Sequence, residues 1–302
     1  MSDILTFVSI MLAGLVCGFI DSALGMGYGV SATSVFMAFG ISPAIASASV
    51  HTSEVVVDIW SGISHWKLGN FERGHLLRLT LPGIIGALAG ALFIAWTAIS
   101  ISTVWVSCVL LILGAFILTR FLQQNPDLKK RLSNRSVPLL GAFAAFVDVS
   151  SGGGWGPICI SVYVLNGTEP RKAVGIVEIT EPIISLTSVI AFGFLLGFES
   201  FLWATALPMI LGGIILTSVA AILSKKIPKR WLGILIGVWL IILNARTLIR
   251  SVWYHWFLDV IFVSAIMTVI ILGYWMTRKA KVIDFCKVSA FNQLGNAKQR
   301  DK

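Results

Sequence analysis

Six carboxylates lie inside apolar stretches of this chain: Asp21, Glu54, Asp58, Asp148, Glu178 and Glu181. An ionisable side chain near the middle of a bilayer costs roughly 2.5 to 3.5 kcal/mol on insertion scales, so each is expected to face protein or a water-filled cavity. His51, Glu54 and Asp58 are spaced i, i+3, i+7 and share one helix face, and Glu178, Glu181 and Ser185 repeat that stripe. Two chemistries suit such a stripe. Carboxylates clustered away from water can carry protons, or Glu54 and Glu181 can hold neighbouring loops by accepting backbone N–H groups, as capping carboxylates do. Both readings stand for that pair. Asp21 and Asp148, immediately ahead of glycine turns, are read as structural, and His51 as a satisfied interior residue rather than a metal ligand.

The glycine turns are the second element with chemistry to offer. Gly25, Gly27 and Gly29 recur as Gly152, Gly154 and Gly156, and Gly153 thickens the second cluster. Glycine permits positive φ and close approach of backbone to a ligand. Helices that resume at Tyr28 and Trp155 would aim unpaired N–H groups and a positive dipole end at such a ligand, which favours an anion. The candidate binding residues are therefore Ser22, Gly25, Gly27, Tyr28 and Gly29 in the first turn, with Ser150, Ser151, Gly152, Gly153, Gly154 and Trp155 in the second. Against this stands tight helix packing, for which membrane proteins also use glycine.

The elements that position these groups come in duplicate. Gly14 to Glu54 returns without a gap as Gly141 to Glu181, offset by 127 residues, with 13 of 41 paired positions identical. The matched residues include Asp21 with Asp148, Pro43 with Pro170 and Glu54 with Glu181. Seven apolar runs, 45–65, 79–96, 104–122, 173–196, 201–223, 231–249 and 257–277, are each near the length that crosses roughly 30 Å of hydrocarbon. The segments on either side of the second glycine cluster are too short to cross, whereas the longer arm ahead of the first leaves a full span open there. Val137 to Asn166 is therefore expected to form a re-entrant pair of short helices, matched by Leu5 to Phe39, whose first arm is longer.

Basic residues collect in connections: 67–78, 120–135, 225–230 and 278–281. These loops read as cytoplasmic by the positive-inside rule. The connections at 98–102 and 197–200 carry no lysine or arginine and read as outside. Each loop of the first half pairs with one of opposite character in the second, the pattern of an inverted repeat. Arg246 and Arg250 fit this scheme poorly. The expected organisation is a first membrane repeat over 1–122, a cytoplasmic linker over 123–136, a second repeat over 137–250, a further transmembrane helix over 251–277 and a cytoplasmic tail over 278–302.

Composition agrees with this class. The chain has 302 residues, 57% of them hydrophobic and 12% charged, with mean hydropathy +0.89, too little polar surface for a water-soluble domain of that size. The net charge of +9 is spread over loops rather than gathered in a nucleic-acid patch. Cys17, Cys108, Cys159 and Cys286 show no paired spacing. No phosphate loop, nucleophile elbow or zinc spacing is present, so neither an ATP-driven pump nor an enzyme is expected, and no cofactor or metal.

From Gly18 to Gly29, followed by Pro43 to Ala48, the chain resembles the TauE/SafE family of sulfite exporters and related permeases, and Phe146 to Gly156 with Glu169 to Gly175 looks like a second copy of the signature. The resemblance implies a permease for small sulfur-containing anions such as sulfite, sulfoacetate or other organosulfonates. The expected fold is an all-α integral membrane protein of two inverted repeats, each opening with a broken or re-entrant hairpin. The expected function is a secondary transporter with alternating access, coupled to protons through Glu54, Glu181 or both. Its partners would be the anion, the plasma-membrane bilayer, protons and further copies of the chain, with no nucleic acid. The N-terminus would lie outside and the C-terminus in the cytoplasm. Two rivals are a cation or metal-ion transporter using the carboxylates as ligands, and a non-transporting membrane subunit.

Overall fold

Glycine ends one helix and opens another where a side chain would resist the backbone. Gly152 sits at φ 71°, in the left-handed region, and the Gly153 N–H returns to the Asp148 carbonyl at 2.9 Å, which closes one helix at Ser151. In the first half Gly27, at φ 131°, precedes the helix that starts at Tyr28. The computed structural model describes residues 2–24, 26–67, 69, 70, 74, 76–122, 133, 135–223 and 229–252. Gly25, most of the 123–136 linker, the expected 251–277 helix beyond Val252, and the 278–302 tail lie outside the described residues.

The described residues are helical throughout, with no strand among them. The ten α-helices are α1 (Ser2–Leu24), α2 (Tyr28–Ala38), α3 (Pro43–Lys67), α4 (Leu76–Trp96), α5 (Ile99–Leu122), α6 (Ser136–Ser151), α7 (Trp155–Leu165), α8 (Pro170–Leu196), α9 (Trp203–Leu223) and α10 (Lys229–Val252), with a 3-10 turn at Phe198–Ser200. Their boundaries recur at the sequence offset of 127: α2 and α7 match at both ends, as do α4 and α9, and α3 and α8 both begin at the paired prolines. At 1.5 Å per residue, the 11 residues of α2 and of α7 reach about half of a roughly 30 Å hydrocarbon layer.

Among the described residues, four helices are long and apolar enough to cross a membrane: Leu76–Trp96, Ile99–Leu122, Pro170–Leu196 and Gly233–Ser251. The helix α3 is equally long but carries His51, Glu54 and Asp58. Large apolar side chains such as Leu139, Phe194, Ile85 and Ile112 stand exposed on the outer faces, as expected of surfaces that meet lipid. One difference from the sequence reading lies in α6, which starts at Ser136, two residues ahead of Pro138. A proline in the first turn removes no hydrogen bond, so the helix begins before it.

The repeats interlock. The opening helix of each packs along the fourth helix of the other, α1 with α9 and α6 with α4. Small residues make these contacts: a Cβ on Gly14 would stand 2.5 Å from the Met209 carbonyl oxygen, one on Gly18 would stand 2.8 Å from Gly213, and one on Gly141 would reach the Leu79 carbonyl. Lipid tails are as apolar as leucine, so helices gain by close backbone approach rather than by leaving water. Each repeat therefore needs the other to complete its first helix.

Candidate functional site

The helix α3 delivers its histidine to the opposite repeat. His51, wholly buried, places Nδ1 2.8 Å from the Ser47 carbonyl and Nε2 3.1 Å from Asp148 Oδ2 on α6. Glu54 Oε2 stands 3.9 Å from the same nitrogen. Both ring nitrogens thus face acceptors. The other Asp148 oxygen accepts the Trp155 backbone N–H at 3.0 Å, so this one carboxylate ties α3 to the start of α7.

The first half repeats the arrangement at its own break. The Tyr28 N–H points to Asp21 Oδ1 at 3.4 Å, and the Gly29 N–H hydrogen bonds the Glu54 carboxylate, whose Oε1 would lie 2.6 Å from any Cβ at that glycine. The leading N–H groups of α2 and α7 are therefore already held by internal carboxylates. Asp21 and Asp148, read from the sequence as structural, each accept the first N–H of a half-helix, and Glu54 stands between the two roles left open for it.

The two breaks face one another. A Cβ on Gly29 would come 3.0 Å from Gly153 Cα and 3.1 Å from the Gly152 oxygen, and the Thr33 hydroxyl donates to that same Gly152 oxygen. Ser150 and Ser151 are fully buried. Ser150 accepts the Trp105 indole N–H at 3.2 Å, and the Ser151 hydroxyl lies 2.7 Å from the Val147 carbonyl and 2.9 Å from that of Gly153. Gly154 closes the second turn ahead of Trp155. Of the remaining candidates, the side chain of Ser22 and the whole of Gly25 lie outside the described residues.

The paired aromatics wedge into the neighbouring helices. Tyr28 is buried and its hydroxyl donates to the Met209 carbonyl on α9 at 3.3 Å. The Trp155 ring lies against Gly83 on α4, within 3.2 Å of where a Cβ would stand. Each ring thus links a half-helix to the fourth helix of one repeat.

A second group of acids gathers around Asp21. Ligand oxygens of Asp21, Asp58 and Glu178 all lie within 4.8 Å of one another, and all three residues are buried. Asp58 and Glu178 also line a cavity of about 360 Å³ between α3 and α8, together with Gly62, Trp66, Ile179 and Pro182. Glu181, 8% exposed, and the buried Ser185 complete the α8 stripe.

Sequence reasoning missed Arg120. It was grouped with the basic linker, yet α5 continues to Leu122 and the guanidinium turns inward, 2.6 Å from Ser161 Oγ on α7 and 3.8 Å from Met26 Sδ at the first break. The signal available was that Arg120 still lies within an apolar run. Arg246, the misfit in the charge scheme, reaches the Ala38 carbonyl at 3.3 Å, where a cation meets the negative end of α2. Cys17, Cys108 and Cys159 are free thiols; Cys286 lies outside the described residues.

Comparison with known proteins places this arrangement in a group. The family described as sulfite exporter TauE/SafE matches residues 10–247, which takes in both breaks and both acidic stripes. A relative from Bacillus subtilis (strain 168), named as the probable membrane transporter protein YtnM, is 41% identical over 243 residues, covering 79% of this chain and 81% of its own length. No solved structure matches the chain.

Proposed function

The chain belongs to the TauE/SafE sulfite exporter family and is a multi-pass membrane transporter, and from that premise we propose that it is a proton-coupled permease for small sulfur-containing anions such as sulfite or organosulfonates. The observation that carries this reading is the meeting of Gly29 with Gly153, where the starts of two half-helices converge. The N–H groups of Tyr28, Gly29 and Trp155 are each engaged by a carboxylate. Helix N-termini favour anions, and here the protein's own anions occupy the place of the passenger.

Transport then amounts to exchange. When the breaks part, a sulfonate or sulfite oxygen takes the Gly29 N–H in place of Glu54, and Glu54 leaves that bond carrying a proton. Anion and proton cross together. Arg120, beside Met26 and Ser161, adds a cation near the first break without sitting in it. The repeats are read as inverted about an axis in the membrane plane, with α1–α2 and α6–α7 as hairpins entering from opposite faces and the interlocked halves rocking about the contact. The basic loops are read as cytoplasmic, with the N-terminus outside a plasma membrane.

Purified protein in liposomes tests this directly. Uptake of sulfite and sulfoacetate, with acetate and chloride as controls, is measured with and without an imposed inward proton gradient. The expected result is sulfur-anion uptake stimulated by the gradient. Absence of anion uptake, or uptake indifferent to the gradient, removes the reading.

A further inference from the structure

The repeat offset pairs His51 with Glu178, and the structure puts each against the aspartate of the other repeat: His51 against Asp148, Glu178 against Asp21. The first contact joins an imidazole to a carboxylate. The second joins two carboxylates, and Asp58 makes a third, where the sequence of the other half has Ser185. We propose that Asp21, Asp58 and Glu178 bind one oxygen-coordinated metal cation, of the Na⁺ or Ca²⁺ kind, which partners the acids here as the His51 ring partners Asp148 in the other half.

Geometry and unsatisfied atoms carry the assignment. Ligand atoms within 4.8 Å of one another can share an ion whose bonds to oxygen are about 2.3 to 2.6 Å long, since opposite ligands of such an ion stand about 4.6 to 5.2 Å apart. Asp58 Oδ2 and at least one Glu178 oxygen are buried without a hydrogen-bond partner, the Ser61 hydroxyl being a donor beside Glu178. Buried charged groups are ordinarily paired or coordinate a metal. An open, largely apolar groove of about 360 Å³ between α3 and α8 reaches Asp58 and Glu178.

The site adjoins the transport pathway through Asp21, whose other contact is the first N–H of α2. An ion drawing on Asp21 alters the hold on that helix start. Any effect of the ion on transport rests on the permease reading of the preceding section; the existence of the site does not.

The test uses the purified full chain in detergent, stripped of metal in choline buffer. Binding of ²²Na⁺ and of ⁴⁵Ca²⁺ is followed by equilibrium dialysis, with thermal unfolding measured over a titration of each ion. The expected result is saturable binding of about one ion per chain in one of the two arms, with a rise in Tm, and at least a tenfold loss of affinity in Glu178→Gln and Asp58→Asn. Glu169→Gln, at an exposed ion pair with Arg171, binds as the parent does. Glu178→His places an imidazole where His51 has one, and is expected to fold without added ion and to melt at a temperature no longer dependent on it. Overturning results are no binding or Tm response to either ion in the parent protein, or undiminished binding in folded Glu178→Gln. Ion binding without sulfur-anion uptake removes the permease and keeps the site, and uptake without ion binding does the reverse.

Discussion

Gly153 lies with its backbone against that of Val30: a Cβ on this glycine would stand 2.3 Å from the Val30 nitrogen and 2.6 Å from the Gly29 carbonyl carbon. The obstacle is main chain on both sides, so no rotamer change can relieve it. Gly153→Ala is expected to push the two breaks apart and abolish uptake, with Tm lowered. Gly40 provides the comparison, since it is also at positive φ (82°) but meets nothing within 4 Å. Gly40→Ala should cost only about 1 to 2 kcal/mol for the left-handed conformation, leaving uptake intact. Equal tolerance of the two substitutions would show that the contact between the breaks does not matter.

Asp148 serves two partners with two oxygens, the His51 ring at 3.1 Å and the Trp155 N–H at 3.0 Å. Removing one partner of a buried hydrogen bond costs about 1 to 3 kcal/mol because the other is left unmatched. Asp148→Ala is accordingly expected to melt far below the parent. Asp148→Asn keeps an acceptor for Trp155 and should fall between them, and the double change His51→Ala with Asp148→Asn should lose less than the sum of the singles. Thermal unfolding in detergent measures all four proteins, and additivity would show that the two side chains do not interact.

Much of this architecture was legible in the duplication. The second glycine cluster marks where α6 ends, because a helix cannot continue through Gly152 at φ 71°, and the prolines Pro43 and Pro170 mark where α3 and α8 begin. The interlocking of α1 with α9 was not legible, since Gly14, Gly18 and Gly212 look like small residues packing against any neighbour. The partners of the acids were hidden for a related reason. Helical spacing groups His51 with Glu54 and Asp58 on one face, but each side chain reaches away from α3: His51 to Asp148, Glu54 to Gly29 and Asp58 to Asp21 and Glu178. Periodicity names a face and leaves its partner open. Arg120 was lost to the basic cluster that follows it, although its donor ends at Ser161 in the opposite repeat.

Arg120 offers a separable test of electrostatics near the first break. A hydrogen bond involving a charged group is worth about 1.5 to 3 kcal/mol, so Arg120→Gln, which loses the charge, should reduce sulfite uptake at low concentration about tenfold or more. Arg120→Lys retains the charge with a single donor head and should recover part of the rate. Initial rates over a range of sulfite concentrations distinguish the cases. Equal loss in both variants would assign Arg120 to packing against Ser161 and Met26 rather than to anion attraction.

Glu54 is where the capping and proton-carrying readings diverge. As a cap, it needs only an oxygen to receive the Gly29 N–H, and glutamine offers one of the same length. As a proton carrier, it needs a group that can exchange a proton, which glutamine lacks. Glu54→Gln is therefore expected to fold with nearly the parent Tm and to lose stimulation of uptake by a proton gradient. It should still exchange labelled for unlabelled sulfite across the membrane, since exchange returns the protein through its loaded form and needs no net proton movement. Glu181→Gln, the same change in the other repeat, reports whether the second carboxylate shares the task. A Glu54→Gln protein that is stable and still fully driven by the gradient would reduce Glu54 to a cap, whereas one that is unfolded would mean the negative charge itself, beside His51 at 3.9 Å, is required to hold the break.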